Sequence, residues 1–158
     1  MFQIRKAEAR DAALLLSLVR ELAEYEKAPN QVMATEADLV RDGFGATPRF
    51  EAAIAECSGE AAGFALWFYN YSTWAGRHGL YLEDLFVRPV FRGRGIGKAL
   101  LLHCARIAAD QGCGRYQWQV LDWNTPAIRF YEGLGARPLP EWITMRVSGP
   151  DIARMAGR

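Results

Sequence analysis

The segment from Ala61 to Tyr71 most limits what this chain can fold into, because it is apolar almost without interruption. A strand with one face in water alternates apolar and polar side chains, whereas a strand covered on both faces carries a continuous apolar run. The run here consists of Phe64, Leu66, Trp67, Phe68 and Tyr69. We therefore predict a central strand in a sheet that other layers cover on both sides.

The spacing of apolar residues in the rest of the chain predicts the strands and helices that accompany this strand. Apolar residues alternate in further predicted strands at residues 2–7, 50–57, 80–87, 115–121 and 142–147. Helices are predicted at residues 11–25, from Thr35 to Gly43, after Ile96, after the capping residue Asn124 and in the tail from Asp151. The order β-α-α-β-β-β-α-β-α-β predicts an α/β fold (a mixed α+β sheet), mostly antiparallel, with helices on both faces.

Length and composition limit the class of protein. A chain of 158 residues fits a single domain covering residues 1–158, because chains usually divide only when one core stops growing. The hydrophobic share of 51% excludes a disordered chain, and no apolar stretch approaches the roughly 20 residues that span a bilayer. Lys and Arg number 19 against 18 Asp and Glu, a net charge of +1 that disfavours nucleic acid or a membrane as partner.

The cysteines and the start of the chain predict a cytoplasmic protein. Cys57, Cys104 and Cys113 form no CxxC pair, and their odd number argues against a disulfide framework or a structural zinc site. Residues 1–6 lack the basic stretch followed by an apolar run that marks a signal peptide. We expect a protein of the reducing cytoplasm that needs no metal.

A glycine-rich turn follows the predicted strand that ends at Val87. It leads into the first turn of a helix, where N–H groups lack internal partners and the macrodipole is positive. Glycines let a ligand approach the backbone closely, and basic side chains lie between and beside them, in the order Arg92, Gly93, Arg94, Gly95, Ile96, Gly97 and Lys98. This pattern predicts a site for a phosphate group, most simply a diphosphate.

Two common phosphate motifs do not fit this turn. A P-loop requires Gly-Lys-Ser/Thr, but Ala99 follows Gly97 and Lys98, so no hydroxyl is present for magnesium. A dinucleotide fingerprint requires GxGxxG, whereas the glycines here are spaced GxGxG. On the residues alone, a turn that merely begins a helix and a basic patch for RNA remain open as alternatives.

The same residues resemble a known enzyme family. Arg92 to Gly97 matches the (Q/R)xxGx(G/A) signature of the Gcn5-related N-acetyltransferases (GNAT), which bind acetyl-CoA at this loop. Four further segments are similar to the diamine acetyltransferase branch of that family: 21–26, 81–87, 120–124 and 130–136. Within the branch, residues 71–74 and 120–124 are more similar to the members that act on thialysine than to those that act on spermidine.

The resemblance implies a fold, a co-substrate and an assembly. The fold is the acyl-CoA N-acyltransferase fold with a splayed β4/β5 pair, and the protein is expected to be a homodimer that transfers an acetyl group to the primary amine of a small molecule. The resemblance assigns contacts with acetyl-CoA to Leu85, Phe86, Val87, Arg92, Gly93, Arg94, Gly95, Ile96, Gly97, Lys98 and Asn124. Modification of lysines or N-termini in proteins, and acetyl-CoA sensing without catalysis, stay open as alternatives.

The reaction requires two proton transfers. An alkylammonium with a pKa near 10.4 is only about one part in a thousand neutral at pH 7 to 7.5, so the amine must lose a proton before it attacks. Glu83 is the candidate base, acting through water, and Asp84 is the candidate partner of the cation. Adjacent strand residues point to opposite faces, so both carboxylates enter one site only where a bulge intervenes. The resemblance assigns Tyr131 as the acid that protonates the departing thiolate.

The remaining predicted contacts concern the amine. The resemblance places amine-binding groups at the end of the first helix and on the strand after the glycine-rich helix, and an aromatic side chain in a loop can stack on a cation. The predicted substrate-binding residues are Tyr25, Glu26, Trp74, Glu83, Asp84, Gln117, Trp118 and Gln119.

Overall fold

The computed structural model describes residues 1–158, which form two compact units, Met1–Gln119 and Val120–Arg158. The first unit contains a five-stranded sheet in the order β1-β2-β3-β4-β5. The strands are β1 (Phe2–Lys6), β2 (Glu51–Cys57), β3 (Glu60–Ser72), β4 (Arg77–Val87) and β5 (Tyr116–Trp118). Strands β1 to β4 pair antiparallel, and β5 pairs parallel with β4. The predicted mixed, mostly antiparallel sheet is confirmed.

Helices cover both faces of this sheet. The first unit contains α1 (Ala12–Tyr25), α2 (Glu36–Phe44) and α3 (Ile96–Asp110). On one face, side chains of α1 such as Leu18 and Leu22 share a core with Phe64 and Leu66 of β3. On the other face, the next residue of β3, Trp67, meets the ring of His103 on α3 edge to face, with centroids 6.2 Å apart. The prediction that β3 is covered on both sides is confirmed by the burial of residues 62–67.

Local signals set the ends of these helices. Thr35 caps α2 as predicted, because its hydroxyl accepts a hydrogen bond from the N–H of Asp38 at 3.2 Å. The helix continues through Gly43 to Phe44, so Gly43 is not its stop. Helix α3 begins after Gly95, whose φ of 80° lies in the left-handed region that favours glycine.

The second unit contains α4 (Thr125–Gly133) and α5 (Pro150–Met155). Both helices were predicted, but the predicted strand at residues 142–147 is wrong, since this segment forms no ladder with any strand. An alternating pattern makes a strand only when a partner edge takes up its backbone hydrogen bonds, and Ile143 and Met145 are 82% and 88% exposed. No helix of the chain has the length and apolar character needed to cross a membrane.

Candidate active site

A β-bulge lies in the middle of β4 and changes where its carboxylates point. Asp84 pairs with Leu66 of β3, whereas Leu82 pairs with the next residue, Trp67, so Glu83 is the extra residue of the bulge. An extra residue reverses the alternation of a strand. Leu82 therefore shares a face with Trp67, toward α3, and Asp84 shares a face with Leu66, toward α1.

The bulge gives Asp84 an unusual environment. Burial, together with the negative charges of Glu83 and Glu26, raises the pKa of Asp84 to about 7. Glu26 caps the C-terminus of α1, and burial also raises the pKa of its carboxyl. The structure thus brings together Glu26, Glu83 and Asp84, three of the predicted substrate residues. Such a cluster attracts a cation and holds a carboxyl group that exchanges its proton near neutral pH.

The edge of β4 that faces β5 opens beside this cluster. The two strands pair only from Leu80 to Leu82, with Trp118 opposite Leu82 in the last paired position. Strand β4 continues to Val87, so its residues from Glu83 onward have no partner in β5. This is the splayed arrangement that the resemblance implied. It leaves main-chain groups of β4 available to a ligand that enters between the strands.

The glycine-rich turn presents an array of unpaired backbone donors. No acceptor of the protein takes a hydrogen bond from the N–H groups of residues 93 to 98. Gly95, the cap residue of α3, offers no side-chain acceptor to the first turn of that helix. The donors and the positive end of the helix macrodipole therefore favour an anion such as a diphosphate at this turn.

The arginines of the turn are held by protein contacts, whereas the sequence predicts mobile positive charge there. Arg92 donates from Nε to the carbonyl oxygen of Val87 at 2.9 Å. Arg94 lies over the ring of Phe91, 5.5 Å from its centroid, and donates from Nη2 to the carbonyl oxygen of Val90 at 3.4 Å. Both residues are exposed even though these contacts hold their guanidinium groups.

Comparison with known proteins identifies the family. A profile of the Acetyltransferase (GNAT) family matches residues 15–136. The chain belongs to the GNAT family. It is an acetyltransferase, and the family resemblance of its motifs is confirmed.

Individual relatives of this GNAT chain agree with the branch predicted from its residues. Thialysine N-epsilon-acetyltransferase of Sus scrofa is 42% identical, over 98% of this chain and 97% of the relative. Spermidine/spermine N(1)-acetyltransferase-like protein 1 of Homo sapiens is 36% identical, over 98% of this chain and 24% of that protein. Among solved structures, an integron cassette protein of V. cholerae has a TM-score of 0.82 and 26% identity, covering 99% of this chain and 98% of that one.

The other predicted substrate residues of the GNAT chain lie on three different elements of the first unit. Tyr25 ends α1, immediately before Glu26. Gln117 and Trp118 belong to β5, which is shorter than predicted, so Gln119 lies beyond its end. Trp74 lies in the β3–β4 hairpin and is 90% exposed, so it is not part of the core.

Two predicted residues belong to the second unit. Tyr131 lies on α4 beside Phe130, with ring centroids 5.4 Å apart, and is partly exposed rather than buried in a core. The side chain of Asn124 is buried and accepts a hydrogen bond from the N–H of Ala127 at 3.4 Å. Asn124 therefore caps α4, a local role that accounts for an asparagine at this position.

Sequence patterns alone missed two other residues near the turn. Arg88 follows β4 directly and forms a salt bridge with Glu21 of α1, Nη2 to Oε1 at 2.9 Å. Neither residue belongs to the family's short signature. A contact between positions 67 residues apart has no local signal that a periodicity argument could detect.

Proposed function

We propose that this GNAT protein transfers the acetyl group of acetyl-CoA to the primary amine of a small cationic molecule of the thialysine, diamine or polyamine type. The observation that carries the proposal is the carboxylate cluster of Glu26, Glu83 and Asp84 beside the open edge of β4. Relatives named as thialysine N-epsilon-acetyltransferases, aligned over 98% of this chain, support the substrate class.

The proposed donor site is the turn from Arg92 to Lys98 together with residues 85–87 of β4. The unpaired N–H groups of residues 93–98 suit the diphosphate of acetyl-CoA, because its charge then replaces water at the positive end of α3. In this proposal the open edge of β4 receives the pantetheine arm and thioester. A backbone N–H near Leu85 would then stabilise the negative charge that develops on the carbonyl oxygen.

The proposed base is Glu83, and Asp84 is the proposed partner of the cation. Removing a proton from an alkylammonium at neutral pH costs about 4 kcal/mol, because its pKa is roughly three units above the pH. Glu83 is exposed, which suits proton transfer through water, and Asp84 faces the end of α1, which suits a contact with the cation. The raised pKa of Asp84 also matches a group that accepts a proton near pH 7.

Tyr131 is the proposed acid, and Asn124 is the proposed contact of the pantetheine arm. The family motif assigns the tyrosine at this point of α4 to protonation of the departing CoA thiolate. The ring of Tyr131 is partly exposed, so its hydroxyl is not sealed in a core. We propose both roles on the strength of the family motif.

We propose direct attack of the amine on acetyl-CoA in a ternary complex. A covalent route would need a cysteine thiolate near the donor. Cys104 of α3 is fully buried, and burial raises the pKa of its thiol to about 12, which opposes thiolate formation at neutral pH. The buried thiol therefore favours a mechanism without an acetyl-cysteine intermediate.

Three further properties are part of the proposal. The family profile, at residues 15–136, crosses the boundary between the two units, which supports one catalytic domain over residues 1–158. Exposed apolar side chains between Trp142 and Val147 support a homodimer in which a second copy covers them. Three free cysteines support a location in the reducing cytoplasm.

Release of free thiol from acetyl-CoA across a panel of amines tests this function. The panel contains thialysine, lysine, 1,3-diaminopropane, spermidine and a lysine-containing peptide. We expect turnover with at least one small amine and little with the peptide. Tyr131→Phe should lower kcat about 10²-fold or more while calorimetry still detects acetyl-CoA binding.

The other outcomes of the panel separate the alternatives. Turnover with the peptide alone would indicate a protein acetyltransferase. Binding of acetyl-CoA without thiol release for any amine would indicate a sensor. Absence of any heat on titration with acetyl-CoA would remove the proposed donor site itself.

A further inference from the structure

The connection between β4 and α3 holds the last two turns of α1 through two arginines that are four residues apart. Arg88 donates from Nε and Nη2 to the carboxylate of Glu21, both at 2.9 Å. Four residues further along each element, the guanidinium carbon of Arg92 lies 4.8 Å from the centroid of the Tyr25 ring. Glu21 and Tyr25 lie on one face of α1, because residues at this spacing are neighbours on a helix. We call these two contacts the arginine clasp.

Both arginines of the clasp are hydrogen-bonded to the sheet, Arg92 through Nε to the carbonyl oxygen of Val87 at 2.9 Å, but only Arg92 adjoins the glycine-rich turn. Arg88 also donates from Nη1 to the carbonyl oxygen of Ala61 at 2.9 Å, and its N–H donates to the carbonyl oxygen of Ala62 at 2.8 Å. It is therefore anchored to the sheet as well as to α1. Arg92 immediately precedes Gly93, in the stretch whose backbone donors have no protein acceptor. A ligand that binds those donors would fix the backbone on which Arg92 is carried.

The other end of the clasp leads to the carboxylate cluster. Tyr25 is followed directly by Glu26, whose charge contributes to the raised pKa of Asp84. A contact that restrains the Tyr25 ring therefore also restrains the backbone next to Glu26, which forms part of the proposed amine site. Two sites linked in this way affect each other's binding free energy equally in both directions.

We propose that Arg88 and Arg92 are positioning residues that couple binding of the acyl donor at residues 93–98 to order in the last turns of α1, and so to binding of the amine. The inference rests on the proposed function, because it takes the turn as the donor site and the carboxylate cluster as the amine site. Arg88 holds α1 against the connection between β4 and α3. When a ligand orders the turn, Arg92 becomes more ordered and restrains the ring of Tyr25. Donor binding then strengthens amine binding, and amine binding strengthens donor binding by the same factor.

Hydrogen–deuterium exchange with CoA as the probe tests the coupling without requiring the identity of the amine. In the wild-type protein, CoA should slow amide exchange at least threefold in the peptide that covers residues 19–27. This segment contains no residue of the proposed donor site. Tyr25→Leu should abolish the effect because it removes the aromatic face, whereas Tyr25→Phe should retain it because the ring remains.

A second variant tests the anchored contact, and a matched control tests specificity. Glu21→Gln should reduce the effect of CoA on residues 19–27 by at least half, because the amide has no charge for Arg88. The control is Arg41→Gln, since Arg41 contacts Asp38 and Asp42 on the exposed surface of α2, away from the turn. This control should leave the response to CoA unchanged.

Calorimetry with thialysine measures the same coupling as an affinity ratio. CoA should tighten thialysine binding at least fivefold in the wild-type protein and less than twofold in Glu21→Gln and Tyr25→Leu. A role confined to stability would lower Tm without changing this ratio. Unchanged exchange at residues 19–27 in wild-type protein saturated with CoA would overturn the coupling alone. Failure of CoA to bind the wild-type protein would overturn the proposed function together with the coupling.

Discussion

At the scale of single residues, the position of a carboxylate decides its chemistry more than its identity does. Glu83 and Asp84 are neighbours in sequence, yet Glu83 is exposed while Asp84 has a pKa raised to about 7. An ionised carboxylate in such surroundings destabilises the folded chain unless a cation accompanies it. The proposed amine substrate would supply that cation. The buried negative charge of Asp84 therefore both destabilises the folded chain and attracts the substrate.

Asp84→Asn should therefore stabilise the protein at high pH while it lowers acetyl transfer. The folded pKa of Asp84 lies above the unfolded value of 3.8, so the folded state keeps a proton that the unfolded state loses, and stability falls as pH rises from about 4 to 7. The full cost above pH 7 is about 4 kcal/mol, since each pKa unit corresponds to roughly 1.4 kcal/mol. Melting curves should show a gain in Tm for Asp84→Asn that is larger at pH 8 than at pH 5.

Glu36→Gln is the control for this prediction. The side chain of Glu36 is exposed on α2 and its charge is not among those that raise the pKa of Asp84, so the substitution should change Tm by a similar small amount at both pH values. An equal difference between Asp84→Asn and the wild-type protein at pH 5 and pH 8 would contradict the assignment of the raised pKa to Asp84.

At the scale of elements, the turn before α3 depends on backbone conformation rather than on side chains. Gly95 has a φ of 80°, and an L-residue in the left-handed region is destabilised by roughly 1–2 kcal/mol. Gly97 lies inside α3, and a Cβ there would meet only Cγ2 of Val87 at 3.6 Å, an ordinary contact. The two glycines therefore have different tolerances even though both belong to the same signature.

Gly95→Ala should lower the free energy of unfolding by about 1–2 kcal/mol and weaken acetyl-CoA binding at least tenfold, because the first N–H groups of α3 turn away from the diphosphate. Gly97→Ala is the matched control and should keep binding within about twofold while adding up to about 1 kcal/mol of stability. Calorimetric titration with acetyl-CoA and chemical denaturation measure both quantities. Equal loss of binding in the two variants would contradict a role for the left-handed turn.

At the scale of the whole molecule, several large apolar side chains of the second unit are exposed. Ile143 is 82% exposed and Met145 is 88% exposed, in a segment with the alternation of a strand but no ladder. Large apolar side chains that are exposed near one another in the chain are typical of a protein interface. A second copy of the chain is the proposed partner.

Light scattering after size-exclusion chromatography should give twice the chain mass of 17.7 kDa for the wild-type protein. The double variant Ile143→Glu and Met145→Glu should elute as a monomer, because burying two carboxylates in an apolar interface is costly. Met33→Glu, at a position 84% exposed in the first unit, is the control and should leave the dimer intact. A wild-type monomer, or a double variant that remains dimeric, would contradict this interface.

Short-range patterns in the chain were enough to predict the features that depend on neighbouring residues. Short-range spacing predicts the capping box at Thr35, the positions of the helices, the continuous apolar run of β3 and the glycine-rich turn. It also predicts the match to the family. These features hold in the structure because propensity, capping and left-handed glycine act within a few residues.

Features that depend on distant partners could not be predicted from such patterns and are seen only in the folded chain. The bulge at Glu83 is a mismatch of register between β3 and β4, the raised pKa of Asp84 needs burial and the charge of Glu26, and the arginine clasp joins residues 67 positions apart. Residues 142–147 alternate like a strand but form none, because a strand needs a neighbouring strand to take up its backbone hydrogen bonds, and the alternating pattern does not show whether one is present. Strand pairing, the burial of a side chain and the charges near it depend on residues that are distant in sequence, and these residues come together only when the chain folds.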